Sequence, residues 1–333
     1  MPALIFMTIS QVDNICNTAY HLLLGNQPVF CRRFVIPHPL PISHVRSIVG
    51  ESAAWSIRDN CLFTVDIWGR LLWRHTDGGG AERFEMPEMA AAVVIADSGI
   101  VVALESHMLL GDPRLANWRK IAPPGDHPET HRFNDATVAP DGSLIIGTMR
   151  KSALGAEPTG VLYRWAAGSW TRLAEGFWTV NGLAFSPDGK ILYFSDSHTS
   201  VQTVWTAAYA EGQIGAPHVF VDFTDLAGRP DGGATDAEGC YWSAAVGGGC
   251  LHRFRPDGTR ERTVILPVDN PTRPAFGGPG LATLFVTTMA ERQTNPDPGG
   301  LAGATFALTA PCAGHKLPLL KTGFSLSAAD ETC

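Results

Sequence analysis

The chain has 333 residues, 45% of them apolar and 17% charged, with 35 glycines and 24 prolines. That balance excludes a disordered chain and suits many short strands joined by turns better than long helices. A formal charge of -7 with no polybasic run excludes nucleic acid as the partner, and no apolar run approaches the roughly 18 residues of a membrane span.

Residues 1–44 contain "ALIFM", "AYHLLLG" and "PHPLPIS". None of these has the basic start and small-residue cleavage site of a secretory signal, so the segment is expected to be an N-terminal extension or an outer strand that closes a ring. The seven cysteines (Cys16, Cys31, Cys61, Cys240, Cys250, Cys312, Cys333) are odd in number, with no C-x-x-C pair and no Cys/His cluster at zinc-finger spacing. Reduced thiols in a cytoplasmic protein are the expectation.

Beyond this segment one unit recurs: an apolar strand, a turn carrying Asp, Asn or Gly, and a second apolar strand ending in a small polar or acidic residue. It reads "AAWSIRDNCLFTVDI" from Ala53, "AAVVIADSGIVVALES" from Ala91, "ATVAPDGSLIIGTM" from Ala136, "LAFSPDGKILYFSDS" from Leu183, "GATDAEGCYWSAA" from Gly233 and "PAFGGPGLATLFVTTM" from Pro274. The turn positions Asn60, Gly99, Gly142, Gly189, Gly239 and Gly280 lie about 39 to 50 residues apart. Several copies run on into a third strand, as in "GVLYRWAAG" and "CLHRFRPDG". Units of this length and strand content are the blades of a propeller, so six copies predict an all-β, six-bladed β-propeller over residues 45–316, followed by a tail at 317–333. No G-x-G-x-x-G follows a strand and no helical period is sustained, which counts against dinucleotide-binding and barrel folds.

The first strand of each blade lines the central channel, so equivalent positions of different blades meet at one mouth. Asn134, Asn181 and Asp231 each lie eight residues before their turn glycine, and Glu51 lies nine before Asn60. Ala91 and Thr272 hold the same place in the other two units, which makes the expected polar ring lopsided and leaves those blades without a charge there. Two carboxylates and two carboxamides are hard oxygen donors suited to Ca²⁺, Mg²⁺ or Mn²⁺ and able to hold Zn²⁺. Asn-Gly and Asp-Gly are also ordinary turn dipeptides, and Asp and Asn cap strand ends. Four such residues in one register favour a site. The sequence has no G-x-S-x-G and no H-E-x-x-H, so serine-nucleophile and zincin chemistries have no support.

The stretches "GESAAW" (50–55), "RFND" (132–135) with "GTM" (147–149), "VNGLAFSPDGKILYFSDS" (180–197) and "RPDGGATDAEGCYW" (229–242) carry a resemblance. Over residues 45–312 the chain resembles the regucalcin / senescence marker protein / gluconolactonase family of six-bladed propellers. The resemblance implies one divalent metal ion (Ca, Zn, Mg, Mn or Fe(II)) held by Glu51, Asn181 and Asp231. It also implies substrate contacts from Arg132 and Asn134, and hydrolysis of sugar lactones such as aldono-1,4- or 1,5-lactones to the aldonic acid. Asp231 is then the expected general base, Asp135 a brace for the R-x-N-D motif, and His131, Trp178 and His198 candidates to line the mouth. Where some members carry an acidic residue after G-T-M, this chain has Arg150, Lys151 and Ser152, which points to a more anionic substrate. The competing expectations are a non-catalytic calcium-binding or protein-interaction propeller and a metal-dependent esterase or phosphotriesterase. The protein is expected to be a monomer or small homo-oligomer.

Overall fold

The structure is a computed structural model describing residues 39–152 and 157–323. The rest of the 1–44 and 317–333 segments, with Cys16, Cys31 and Cys333, lies outside the described residues.

Six antiparallel sheets follow one another along the chain, one for each expected repeat. Blade one comprises Gly50–Ser56, Cys61–Asp66, Leu71–His75 and Ala81–Glu85; blade two comprises Ala90–Ala96, Gly99–Leu104, Met108–Gly111 and Trp118–Ile121. Blade three comprises His131–Val138, Leu144–Arg150, Gly160–Ala166 and Ser169–Phe177. Blade four comprises Val180–Phe185, Ile191–Asp196 and Thr203–Ala210, whose outer edge pairs with both Gln213–Ile214 and His218–Asp222. Blade five comprises Arg229–Thr235, Tyr241–Val246, Cys250–Phe254 and Arg260–Ile265. Blade six comprises Pro271–Gly277, Thr283–Thr288 and Phe306–Thr309, and its outermost strand is Leu40–Pro41, with Leu40 opposite Ala307 and Pro41 opposite Phe306. Chain from before blade one thus completes blade six and ties the two ends of the ring together.

Burial explains the strand patterns. The inner strand Ala90–Ala96 (AAAVVIA) is covered on both faces and is apolar throughout, whereas the outer strand Ser169–Phe177 (SWTRLAEGF) has no fully buried residue and mixes polar with apolar residues. Wedges of fully buried side chains, including Trp165, Trp242, Tyr163, Tyr241 and Phe133, fill the space between blades. Each such side chain contributes roughly 1.5–3 kcal/mol.

All six inner strands carry a register irregularity near the same end: between Glu51 and Ala54, Ala90 and Ala92, Phe133 and Ala136, Asn181 and Ala184, Pro230 and Gly233, and Pro271 and Arg273. A bulge inserts one residue, bends the strand and re-aims a side chain. Here it does so at the mouth of the channel, six times over. In blade four it requires the glycine of "VNG": Gly182 has φ 65°, and a Cβ there would lie 2.5 Å from the Tyr241 hydroxyl. The Asn-Gly dipeptide therefore makes a bulge inside a strand and not a hairpin turn.

The opposite end of the channel is crossed by the segment after blade six. Ala313 O accepts from Ala237 N, Leu320 N donates to Ile95 O, and Lys321 N donates to Gly142 O. Between this strap and the inner strands lies a cavity of about 320 Å³ with apolar walls that include Trp55, Phe185, Phe276, Leu317 and Leu319.

Candidate functional site

The register residues converge as their spacing requires. Asn181, from the bulge of blade four, donates from Nδ2 to Asp231 Oδ1 of blade five and to Ser197 Oγ at 3.2 Å. Ser197 Oγ in turn donates to Pro230 O at 2.7 Å, so the serine at the end of "SDS" fixes both partners. Glu51 of blade one is anchored by Ser52 N, which donates to its Oε2 at 2.8 Å. Burial pushes the Glu51 carboxyl well above its usual range, and Asp231 and Asp135 push it further in the same direction. Asp231 is likewise raised, by burial first and then by Asp135, against the opposing pull of Arg229, Ser197 and Arg273. Arg229 steadies this corner by donating from Nη1 to Ser197 O at 2.7 Å.

Blade three brings the second group. Arg132 Nη1 donates to Asn134 Oδ1 and to its neighbour's carbonyl, Phe133 O, both at 2.9 Å, while Asn134 Nδ2 donates to Val180 O at 3.0 Å. The guanidinium is thereby held in one orientation. Burial lowers its pKa to about 10, opposed by the charges of Glu51 and Glu105. Asp135 turns inward instead. Its carboxylate accepts from Ala136 N at 2.7 Å and Leu183 N at 2.8 Å and pairs with Arg273.

Arg273 corrects the expectation that blade six brings no charge. Thr272 holds the counted position, and its Oγ1 donates to Gly50 O at 2.5 Å. The bulge then sends the next residue inward, and Arg273 also donates to Leu183 O at 3.2 Å. It forms a cationic floor between the polar mouth and the apolar cavity below, so that cavity and the candidate chemistry lie on opposite sides of one ion pair. Arg273 escaped the sequence register because a bulge delivers it, Ser197 because it follows a second strand, and Arg229 because it lies two residues ahead of the counted position on its inner strand.

The remaining expectations divide. His131 is engaged within blade three, Nε2 meeting Thr159 Oγ1 at 2.8 Å and Nδ1 meeting Thr130 Oγ1 at 3.1 Å. Trp178 and His198 stack at 4.3 Å, held by Asp196, whose carboxylate accepts from the backbone N–H groups of both. Ala91 adds no polar group. One other acidic group among the described residues, Asp236 and Glu238 beside Cys312, already has its cation: Arg253 donates to Asp236 at 2.8 Å and Glu238 at 2.6 Å. The four described cysteines, Cys61, Cys240, Cys250 and Cys312, are free thiols.

The donor set at the mouth fits a divalent cation. Two carboxylates from different blades are buried together, the charge of Asp231 raising the proton affinity of Glu51, and a carboxamide that offers an oxygen as well as its nitrogen stands against Asp231. A cation between such groups removes the repulsion that otherwise favours protonation.

Residues 49–290 match the family model described as the SMP-30/Gluconolactonase/LRE-like region. The chain is 34% identical to 6-deoxy-6-sulfogluconolactonase of Pseudomonas putida, over 82% of this chain and 95% of that one. It is 32% identical to L-arabinolactonase of Azospirillum brasilense, over 74% and 83% respectively. Among solved structures, the calcium-binding protein regucalcin of Agrobacterium tumefaciens superposes with a TM-score of 0.77 at 28% identity, covering 84% of this chain and 96% of that one.

Proposed function

Because the chain belongs to the SMP-30/gluconolactonase/LRE-like family, we propose that it is a metal-dependent lactonase that opens sugar lactones to the aldonic acid. The names of its relatives support aldonolactones as the substrate class. The observation that carries the metal is the convergence of Glu51, Asn181 and Asp231 from three blades on one buried point.

Glu51, Asn181 and Asp231 would hold the cation, which supplies polarisation of the lactone carbonyl and a lowered pKa for water. Asp231 accepts the proton of the attacking water. Asn181 and Ser197, both bonded to its carboxylate, fix its orientation toward that water. Arg132, fixed by Phe133 O and Asn134, donates to the oxygen that gains charge as water adds to the carbonyl carbon. The carbon–oxygen ring bond then breaks, the ring oxygen leaves with the electron pair, and the proton carried by Asp231 goes to it. Asn134 orients Arg132 and faces the lactone hydroxyls beside it.

The test is lactone hydrolysis after chelation and re-addition of single metals, beside Asp231→Asn. Chelation is expected to abolish turnover and one metal to restore it, with Asp231→Asn slower by about 10²-fold or more at an unchanged fold. Full turnover in the chelated protein or in Asp231→Asn refutes the mechanism. A protein that binds Ca²⁺ but opens no lactone under any metal is a binding platform instead.

A further inference from the structure

Blades two and three are joined at the mouth by a charge pair that the mechanism leaves unused. The third-blade ladder sets Arg132 opposite Met149 and His131 opposite Arg150, and Lys151 N donating to Thr130 O at 2.9 Å extends it by one residue. Side chains alternate along a strand, so Met149 and Lys151 share the face of Arg132, while Arg150 shares that of His131. Lys151 Nζ lies 2.5 Å from Glu105 Oε1, in the residue that follows Gly99–Leu104 of blade two. Glu105 is also close enough to Arg132 for its charge to act on the guanidinium, and its carbonyl receives Phe133 N at 3.4 Å.

One carboxylate at the wall of the site is therefore paired with Lys151 and acts through its charge on Arg132. Blade two gives only Ala91 to the inner ring, and Glu105 is its charge at the mouth. The pair is partly solvated, with side-chain exposures of 32% for Lys151 and 24% for Glu105. Such pairs add little stability and open readily. With Glu51 and Asp231 engaged by a cation, Arg132 and Lys151 together carry one more positive charge than Glu105 balances.

We propose that Lys151 and Glu105 form a specificity-determining subsite for the exocyclic tail of the lactone, selecting a tail that ends in an anion. This rests on the lactonase reading above. The anion, whether carboxylate, sulfonate or phosphate, pairs with Lys151 in place of Glu105, and Glu105 turns to accept the neighbouring tail hydroxyl. The overall charge of -7 does not attract anions, so this selection is local to the mouth.

The experiment measures kcat and KM of the metal-loaded protein on a neutral aldonolactone and on lactones of the same ring with a terminal carboxylate, sulfonate or phosphate. Wild type, Lys151→Met, Lys151→Glu and Glu105→Gln are compared, with a melting temperature for each. Wild type is expected to favour an anionic lactone at least tenfold in kcat/KM, and the arm with the highest value identifies the anion. Lys151→Met collapses that ratio through KM, Lys151→Glu reverses it, and Glu105→Gln raises it by releasing Lys151. A merely structural pair would make Lys151→Met and Glu105→Gln fall together on every substrate, and that result overturns the inference. So does a wild type that opens neutral lactones best with a ratio unmoved by Lys151→Met, which leaves the lactonase reading standing. If no lactone, neutral or anionic, is opened with any metal, both fall.

Discussion

Replacing Arg273 by Met tests the floor of the channel. The substitution keeps the apolar stem and removes a cation that pairs with Asp135 and donates to Leu183 O at 3.2 Å, in a pair whose side chains are 10% and 3% exposed. Breaking a buried pair by removing one partner costs about 3–5 kcal/mol, because the other charge is left uncompensated. For a ring of this size that corresponds to a fall in Tm of about 5–8 °C. Asp135 keeps its two backbone donors, Ala136 N and Leu183 N, which places the expectation toward the lower end. Burial already raises the Asp135 pKa, and Arg273 is the largest influence opposing that rise. Without Arg273 the native carboxyl rises further, and the native state then binds more protons than the unfolded one above the ordinary carboxylate range. Its stability falls as pH increases, so the penalty is smaller near pH 5 than near pH 8. Thermal melts at both pH values, with chelator present throughout, read the effect. A variant that melts within about 1 °C of the parent at both would refute the reasoning.

Three further outcomes are expected. In chelated protein the raised carboxyls of Glu51 and Asp231 contribute stability that declines as pH rises from the ordinary carboxylate value through their folded values. Adding the cognate cation should therefore lift Tm more at pH 8 than at pH 5, and an equal lift at both would contradict the shared site. Gly182→Ala puts a Cβ 2.8 Å from Ser195 Oγ and 2.9 Å from Asp231 O at a φ of 65°. A loss of about 2–5 kcal/mol and a drop in lactone turnover are expected, checked by denaturant melts beside kinetics. Deleting the chain through Ile42 removes Leu40–Pro41 and the bond from Ile42 N to Thr305 O, and should lower Tm by several degrees relative to a chain beginning at Pro39.

How much was legible in the sequence depends on whether a feature repeats. The blades were readable because each hairpin carries a turn residue at a similar interval, and Glu51, Asn134, Asn181 and Asp231 because each sits eight or nine residues before it. A ring-closing strand was one expectation for residues 1–44, but its place at Leu40–Pro41 was not legible, since a strand of two residues has no alternation to detect. Arg273 was hidden by the counting itself: the tally ends on Thr272, and the extra residue of the bulge turns the next side chain inward. Glu105 and Lys151 belong to the ends of second strands, where the repeat ends merely in a small polar or charged residue, and only the ring brings the two together.

The six bulges separate the chemistry of this molecule from its architecture. Each blade presents one side chain at the mouth through the same backbone defect, while the blades themselves are built by the strand ladders. The mouth is in effect a row of six sockets on a frame that is indifferent to what they hold. Ala91 is a blank, Thr272 is spent on a neighbouring carbonyl, and four others are wired. A change of ligand geometry is thus within reach of a single substitution that leaves every ladder intact, so closely related propellers can diverge in metal and substrate far faster than in fold.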